Sequence, residues 1–248
     1  VIGLGWLLVA IAGFAIGATS IGGVLVVPAL TQLHGIAVPT AIAAASFAFL
    51  LTGALAVPRT SYSQRGRLSR DAPLHLGALC GALAGAAISA WVPSGWIMAW
   101  VGLVALGSGL HAISFQGARA PADELSQPPR WPGRQELTLT GLLVGLGSAL
   151  SGTGGPVLLL PWLLLRRLEI QRAIAAAQLI QIPIALAATG THLLAQRLEL
   201  GLGLAVAAVL LAGAWLGRRL AQRVRTDRLR QITALVLICT GLWMLFST

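Results

Sequence analysis

From Val1 to Pro58 the chain carries no charged residue. Further charge-free runs cover 72–118, 137–165, 173–196, 200–217 and 231–248. A helix crossing the hydrocarbon core of a bilayer needs roughly 20 apolar residues, and runs of this length supply them. Only 10% of the residues are charged and 56% are hydrophobic. The mean hydropathy is +0.84, whereas a soluble domain carries about 25% charged residues. The fold class expected is an all-α polytopic membrane protein.

The formal net charge of +10 would suggest nucleic acid in a soluble chain. Here the basic residues are all arginine and lie between the apolar runs, without aromatic stacking positions interleaved as a series. They fit cytoplasmic loops under the positive-inside bias, with no nucleic-acid partner. Cys80 and Cys239 each sit in an apolar run and read as small buried packing residues, not as a disulfide or metal pair. No cofactor is expected. Val1 is followed by no basic segment, so nothing reads as a cleaved signal peptide.

Two polar, glycine-rich interruptions break the apolar pattern. The first is Gly17-Ala18-Thr19-Ser20-Ile21-Gly22-Gly23, leading through an aliphatic run to Pro28. The second is Ser151-Gly152-Thr153-Gly154-Gly155-Pro156, leading likewise to Pro161. Aligning the two end prolines sets Ser20 against Thr153 and Gly22 against Gly155. Unwound backbone survives at membrane depth only where protein buries it or where it lines a watery cavity. Paired breaks in two halves point to the substrate site of a transporter.

Residues 1–34 read as a helix, the break and a short second helix from Val24 to Leu33, which rises only ~15 Å. A re-entrant hairpin is expected there in preference to two full spans. Spans follow at 40–58, 72–91 and 95–113, with an arginine-rich loop 59–71 placed in the cytoplasm. Trp91, Trp96 and Trp100 flank the turn at Val92-Pro93-Ser94 and fit an interfacial belt. The segment 114–136 is expected to be an irregular, mobile linker. The plan then repeats as a broken hairpin 137–165 and spans 173–194, 200–217 and 231–247, with a loop 218–230 carrying six arginines. Placing both arginine-rich loops in the cytoplasm points spans 40–58 and 173–194 in opposite directions. The expected organisation is therefore two inverted repeats, 1–113 and 137–248, joined by 114–136, with a shared site near the midplane.

The doubled break with its aliphatic run and proline resembles the TauE/SafE sulfite exporter family, also called the four-toluene-sulfonate uptake permease group. That family also has a downstream helix opening of the Ala-x-x-x-Ser type. The matching residues here are Ala41-Ile42-Ala43-Ala44-Ala45-Ser46 and Ala173-Ile174-Ala175-Ala176-Ala177-Gln178. The chain departs from the family's glycine triplet, with Ile21-Gly22-Gly23 in one half and Gly154-Gly155-Pro156 in the other. Gln178 stands where serine is usual. The resemblance implies transport of small sulfur anions, such as sulfite or organosulfonates, across a bacterial inner membrane.

A helix N-terminus presents free N–H groups and about half a positive charge, so it attracts anions without a cationic side chain. The candidate substrate-binding residues are Ser20, Ile21, Gly22, Gly23, Thr153, Gly154 and Gly155 at the breaks, with Ser46, Thr52, Gln178 and Gln181 from the following spans. Gln178 and Gln181 share a helix face, and a buried amide in lipid needs either a substrate oxygen or a neighbouring helix as partner. The glycines have a competing use in close helix packing. Arg59 and Arg172 sit at span ends and read as headgroup contacts or cytoplasmic anion attractors. His34, His75, His111 and His192 fall near run ends and read as interfacial. No acidic residue falls at mid-membrane depth, which argues against a carboxylate-borne proton or cation path. An inside-negative potential would favour anion export by ~2.3 kcal/mol per charge at 100 mV. Transport, not catalysis, is the expectation. The rivals are an intramembrane serine hydrolase using Ser151 and His192, and a non-transporting membrane scaffold. Homo-oligomer formation is left open.

Overall fold

The computed structural model describes residues 2–19, 22–56, 65–114, 132–166, 170–221 and 226–247. Among these residues every regular element is helical, in chain order α1 (Ile2–Thr19), α2 (Gly23–Leu33), α3 (Val38–Ala56), α4 (Arg65–Ile88) and α5 (Ser94–Ser114), then α6 (Arg134–Ser151), α7 (Pro156–Leu165), α8 (Ile170–Leu194), α9 (Leu200–Ala221) and α10 (Thr226–Ser247). By length and composition, Asp71–Ile88, Ala176–Leu194 and Leu200–Leu220 suffice to cross a membrane, and α1, α2, α3, α5 and α10 contain shorter apolar stretches. The chain is a multi-pass helical membrane protein.

Both broken segments fold back on themselves. The His34 ring, just beyond α2, stands 5.3 Å from the Trp6 ring at the start of α1. α2 therefore runs antiparallel to α1. It begins as a 3-10 turn, continues through one α turn and widens into a π segment at Ala29–Leu33, directly after Pro28. Proline has no N–H to continue the α ladder. The Thr31 hydroxyl donates to the Val27 carbonyl at 2.9 Å in the widened turn. α7 returns along α6 in the same manner. Arg166 pairs with Glu136, and its guanidinium lies 5.2 Å from the centre of the Trp162 ring.

Around the hairpins, helices associate through glycine seams. On α4, a Cβ at Gly77, Gly81 or Gly85 would strike the carbonyl oxygens of Thr138, Leu142 and Leu146 on α6. The ascending order on both helices makes α4 and α6 parallel. A matching seam joins α1 to α9, where Gly13 and Gly17 meet the carbonyls of Leu210 and Ala214. α5 and α10 are antiparallel neighbours, since Gly102 meets Gly241 and Met244 while Gly109 meets Ala234 and Ile238. In a bilayer, lipid tails are as apolar as leucine, so backbone proximity takes over the role that hydrophobic burial plays in water. The central layer is α3 against α8, with α4 also packed on α8 and α9 on α3.

Several boundaries differ from the sequence expectation. α4 begins at Arg65, inside the segment expected to be loop, and α6 begins at Arg134, inside the expected linker. α9 runs on to Ala221 and α10 starts at Thr226. Arginine is a good helix former whose long stem reaches the headgroups, so a helix need not stop at its first charge. Residues 57–64, 115–131 and 222–225, which take in the end of the expected span 40–58 and the remainder of the expected loops and linker, lie outside the described residues, as do Arg59 and the Arg172 and His111 side chains.

Cys80 and Cys239 correct the packing assignment, because both are exposed. The buried face of α4 is supplied by Leu74, Gly77, Ala78, Gly81, Ala82 and Gly85, which leaves Cys80 turned outward. Trp91, Trp96 and Trp100 are all exposed, and the Trp100 indole N–H also reaches across to the Gly147 carbonyl at 3.1 Å. His192, in the last turn of α8, is 0% exposed, because α8 is covered by α3, α4, α6 and α7; its distance from a run end speaks to depth in the membrane, not to burial within the bundle.

Candidate functional site

The second break is built by three consecutive demands on the backbone. α6 ends at Ser151, and Gly152 (φ 63°, ψ 32°) caps it in the left-handed conformation with its N–H on the Ser148 carbonyl. Gly154 and Gly155 follow at φ 81° and 101°. A side chain at such angles is strained, so glycine is required here for conformation as well as space. Pro156 then opens α7, the helix position where its missing N–H costs nothing. The Thr153 amide also donates to the Ser148 carbonyl, at 3.2 Å, and those of Leu158 and Leu159 both donate to Gly155 at 3.1 Å. Among the described residues the backbone hydrogen bonds there engage none of the amides of Gly154, Gly155 or Val157, although all three residues are buried. Unengaged buried amides are rare in folded proteins.

The first break lies against the second. A Cβ at Gly23 would stand 2.6 Å from the Thr153 carbonyl oxygen, and one at Gly152 would stand 2.8 Å from the Val27 side chain. Gly22 is pressed instead against the Ala12 carbonyl of α1. Ser20 and Ile21, the remaining candidates from this break, lie outside the described residues.

The spans α3 and α8 enclose the junction. Ile42 of α3 packs on Gly152, and the Phe49 ring packs on both Gly23 and Gly154. Ser46 lies between them on the same helix face and is buried. From α8, Ile180 and Ile184 cover Gly155. Gln181 donates through Nε2 to the Phe49 carbonyl at 2.8 Å and to the Thr52 hydroxyl at 3.2 Å, while the Thr52 hydroxyl donates to the same carbonyl at 3.2 Å. The amide of Gln181 thus serves as a bond between α3 and α8. Gln178 is half-buried, one turn away on α8.

Phe49 was not legible as part of the site in the sequence. The available signal was an aromatic residue three positions after Ser46, in a helix otherwise opened by alanine. Among the described residues, no three His, Cys, Asp or Glu side chains form a metal-binding group. Nor does the geometry form a nucleophile pair. The Ser151 hydroxyl donates to the Gly147 carbonyl at 2.8 Å and lies 2.9 Å from the Thr153 hydroxyl, and neither ring nitrogen of His192 is hydrogen-bonded to protein.

A helical bundle of this composition, with two folded-back hairpins whose broken tips meet inside it, is the architecture of a membrane transporter. The chain matches the family described as sulfite exporter TauE/SafE over residues 5–244, and it belongs to that family. No curated protein and no solved structure matches it.

Proposed function

We propose that the protein is a carrier of small sulfur oxyanions or organosulfonates in a bacterial inner membrane, binding them where the two breaks converge. The observation that carries this reading is the buried junction itself. Gly23 abuts the Thr153 carbonyl, and among the described residues no backbone carbonyl accepts from the amides of Gly154, Gly155 or Val157. Those three amides at the start of α7 are donors of the kind that hold a sulfonate or sulfite oxygen. The Ser46 and Thr153 hydroxyls can add to them, with Gln178 at the margin. Gln181 and Thr52 act chiefly by holding α3 to α8.

The halves 1–113 and 137–248 are taken as inverted repeats. The counterparts α5 and α10 run antiparallel side by side, and the α4–α6 seam has its equivalent in the α9–α1 seam. An exchange axis lying in the membrane plane accounts for both relations. The two halves rocking about the glycine tips would open the junction alternately to each side.

Thermal unfolding of the purified protein tests the reading, with sulfite, sulfate, thiosulfate, taurine, sulfoacetate and matched carboxylates as ligands. A ligand bound only by the folded state stabilises it by about 2.7 kcal/mol at a hundredfold excess over Kd. A rise in Tm with one or more sulfur anions, and none with the matched carboxylates, is expected. No response to any sulfur anion would refute it.

A further inference from the structure

We infer that Phe49 is the gate of the junction, an apolar lid on the glycine backbone of both breaks that must move before a ligand can reach them. The inference rests on the reading that the breaks form the binding site, and adds to it the residue that controls access. The Phe49 side chain is 1% exposed. Its Cζ and Cε1 atoms face Gly23, where a Cβ would lie 2.9 and 3.3 Å away, and its Cδ2 and Cγ atoms face Gly154 at 3.1 and 3.2 Å. One ring therefore touches the tips of both hairpins. It covers the backbone beside the unengaged amides of Gly154 and Gly155, and Ile184 completes the cover over Gly155.

The geometry separates a fixed part of Phe49 from a movable one. Its carbonyl is tied by Gln181 and Thr52, which anchors the main chain of α3 to α8. The side chain contributes no hydrogen bond to this anchor. Rotation about its side-chain torsions can uncover the glycines without breaking the α3–α8 link. A phenyl ring is suited to the closed position because it excludes water from main-chain groups without offering them a competing acceptor. While the ring stays in place, the amides are withheld from both sides of the membrane.

The test is access to a cysteine at the junction. In a background with Cys80 and Cys239 replaced by alanine, since both are exposed, Thr153→Cys provides a near-isosteric thiol beside Gly154. Its labelling rate is measured with a sulfonate-bearing and with an ammonium-bearing methanethiosulfonate of similar size, with and without Phe49→Ala. Loss of the ring is expected to raise both rates about tenfold or more, as the open population grows. Phe49→Leu, which keeps a branched apolar side chain, is expected to give an intermediate rise. Rates within about twofold of the Phe49 background for both reagents would overturn the gate. If Phe49→Ala does not yield folded protein, the same comparison with Phe49→Leu decides the matter, and an unchanged rate overturns the proposal there too. The charge preference is a separate readout. Faster labelling by both reagents without preference for the anionic one retains the gate and counts against an anion site.

Discussion

Replacing Gly81 with alanine isolates the role of backbone contact in holding the bundle together. The new methyl carbon would lie 2.0 Å from the Leu142 carbonyl oxygen, against 3.4 Å for ordinary contact, and 2.8 and 2.9 Å from that residue's carbonyl and α carbons. The obstruction is backbone on a neighbouring helix, so no side-chain rotation relieves it. α4 and α6 must move apart locally by roughly 1.4 Å, the difference between those two distances. Their separation loosens the neighbouring contacts of Gly77, Gly85, Gly141 and Gly145 on the same seam. Overpacking of this kind costs ~2–3 kcal/mol, and alanine's better helix propensity returns ~1 kcal/mol. The expected net loss is ~1–2 kcal/mol, or roughly 2–8 °C in Tm for a chain of this size. Intrinsic tryptophan fluorescence of the purified protein during heating reads it. The control is Gly107→Ala in the middle of α5, where a Cβ meets nothing within 4 Å; propensity alone should leave that variant unchanged or stabilised by up to ~1 kcal/mol. A Gly81→Ala protein as heat-stable as the Gly107→Ala protein would refute the packing argument.

Gly155→Ala forces a side chain to φ 101° and into the Ile184 methyl. A backbone penalty of ~1–3 kcal/mol at the break should distort the adjacent amides and abolish the thermal shift given by sulfur anions, measured in the same ligand screen; a full shift would show that the break geometry is dispensable for binding. Gln181→Ala removes the bond that α8 makes to the Phe49 carbonyl and leaves the Thr52 hydroxyl on it. A stability loss of ~1–3 kcal/mol is expected from thermal unfolding, with ligand affinity changed less than stability; unchanged stability with a large rise in transport KM would instead make Gln181 a substrate ligand.

The sequence by itself determined the class of protein, because charge-free runs of this length have no stable arrangement in water. It also located both breaks. Neither depends on distant contacts: hydrocarbon penalises unwound backbone wherever it occurs, and the break at Gly152–Gly155 reads from clustered glycines, which weaken a helix, followed by a proline suited to a helix start. The folding back of α2 and α7 followed from their short lengths. Only the tertiary structure decided which glycines are conformational and which are seams, since Gly81 and Gly154 are chemically identical and differ in what lies opposite and in φ. It likewise turned Gln181 into a strut on the Phe49 carbonyl, buried His192, turned Cys80 and Cys239 outward and set the Phe49 ring across two hairpin tips remote in the chain. Such assignments rest on helix rotation and register. Those are fixed by the sum of many small packing contacts between helices, which a run of uniformly apolar residues does not encode locally.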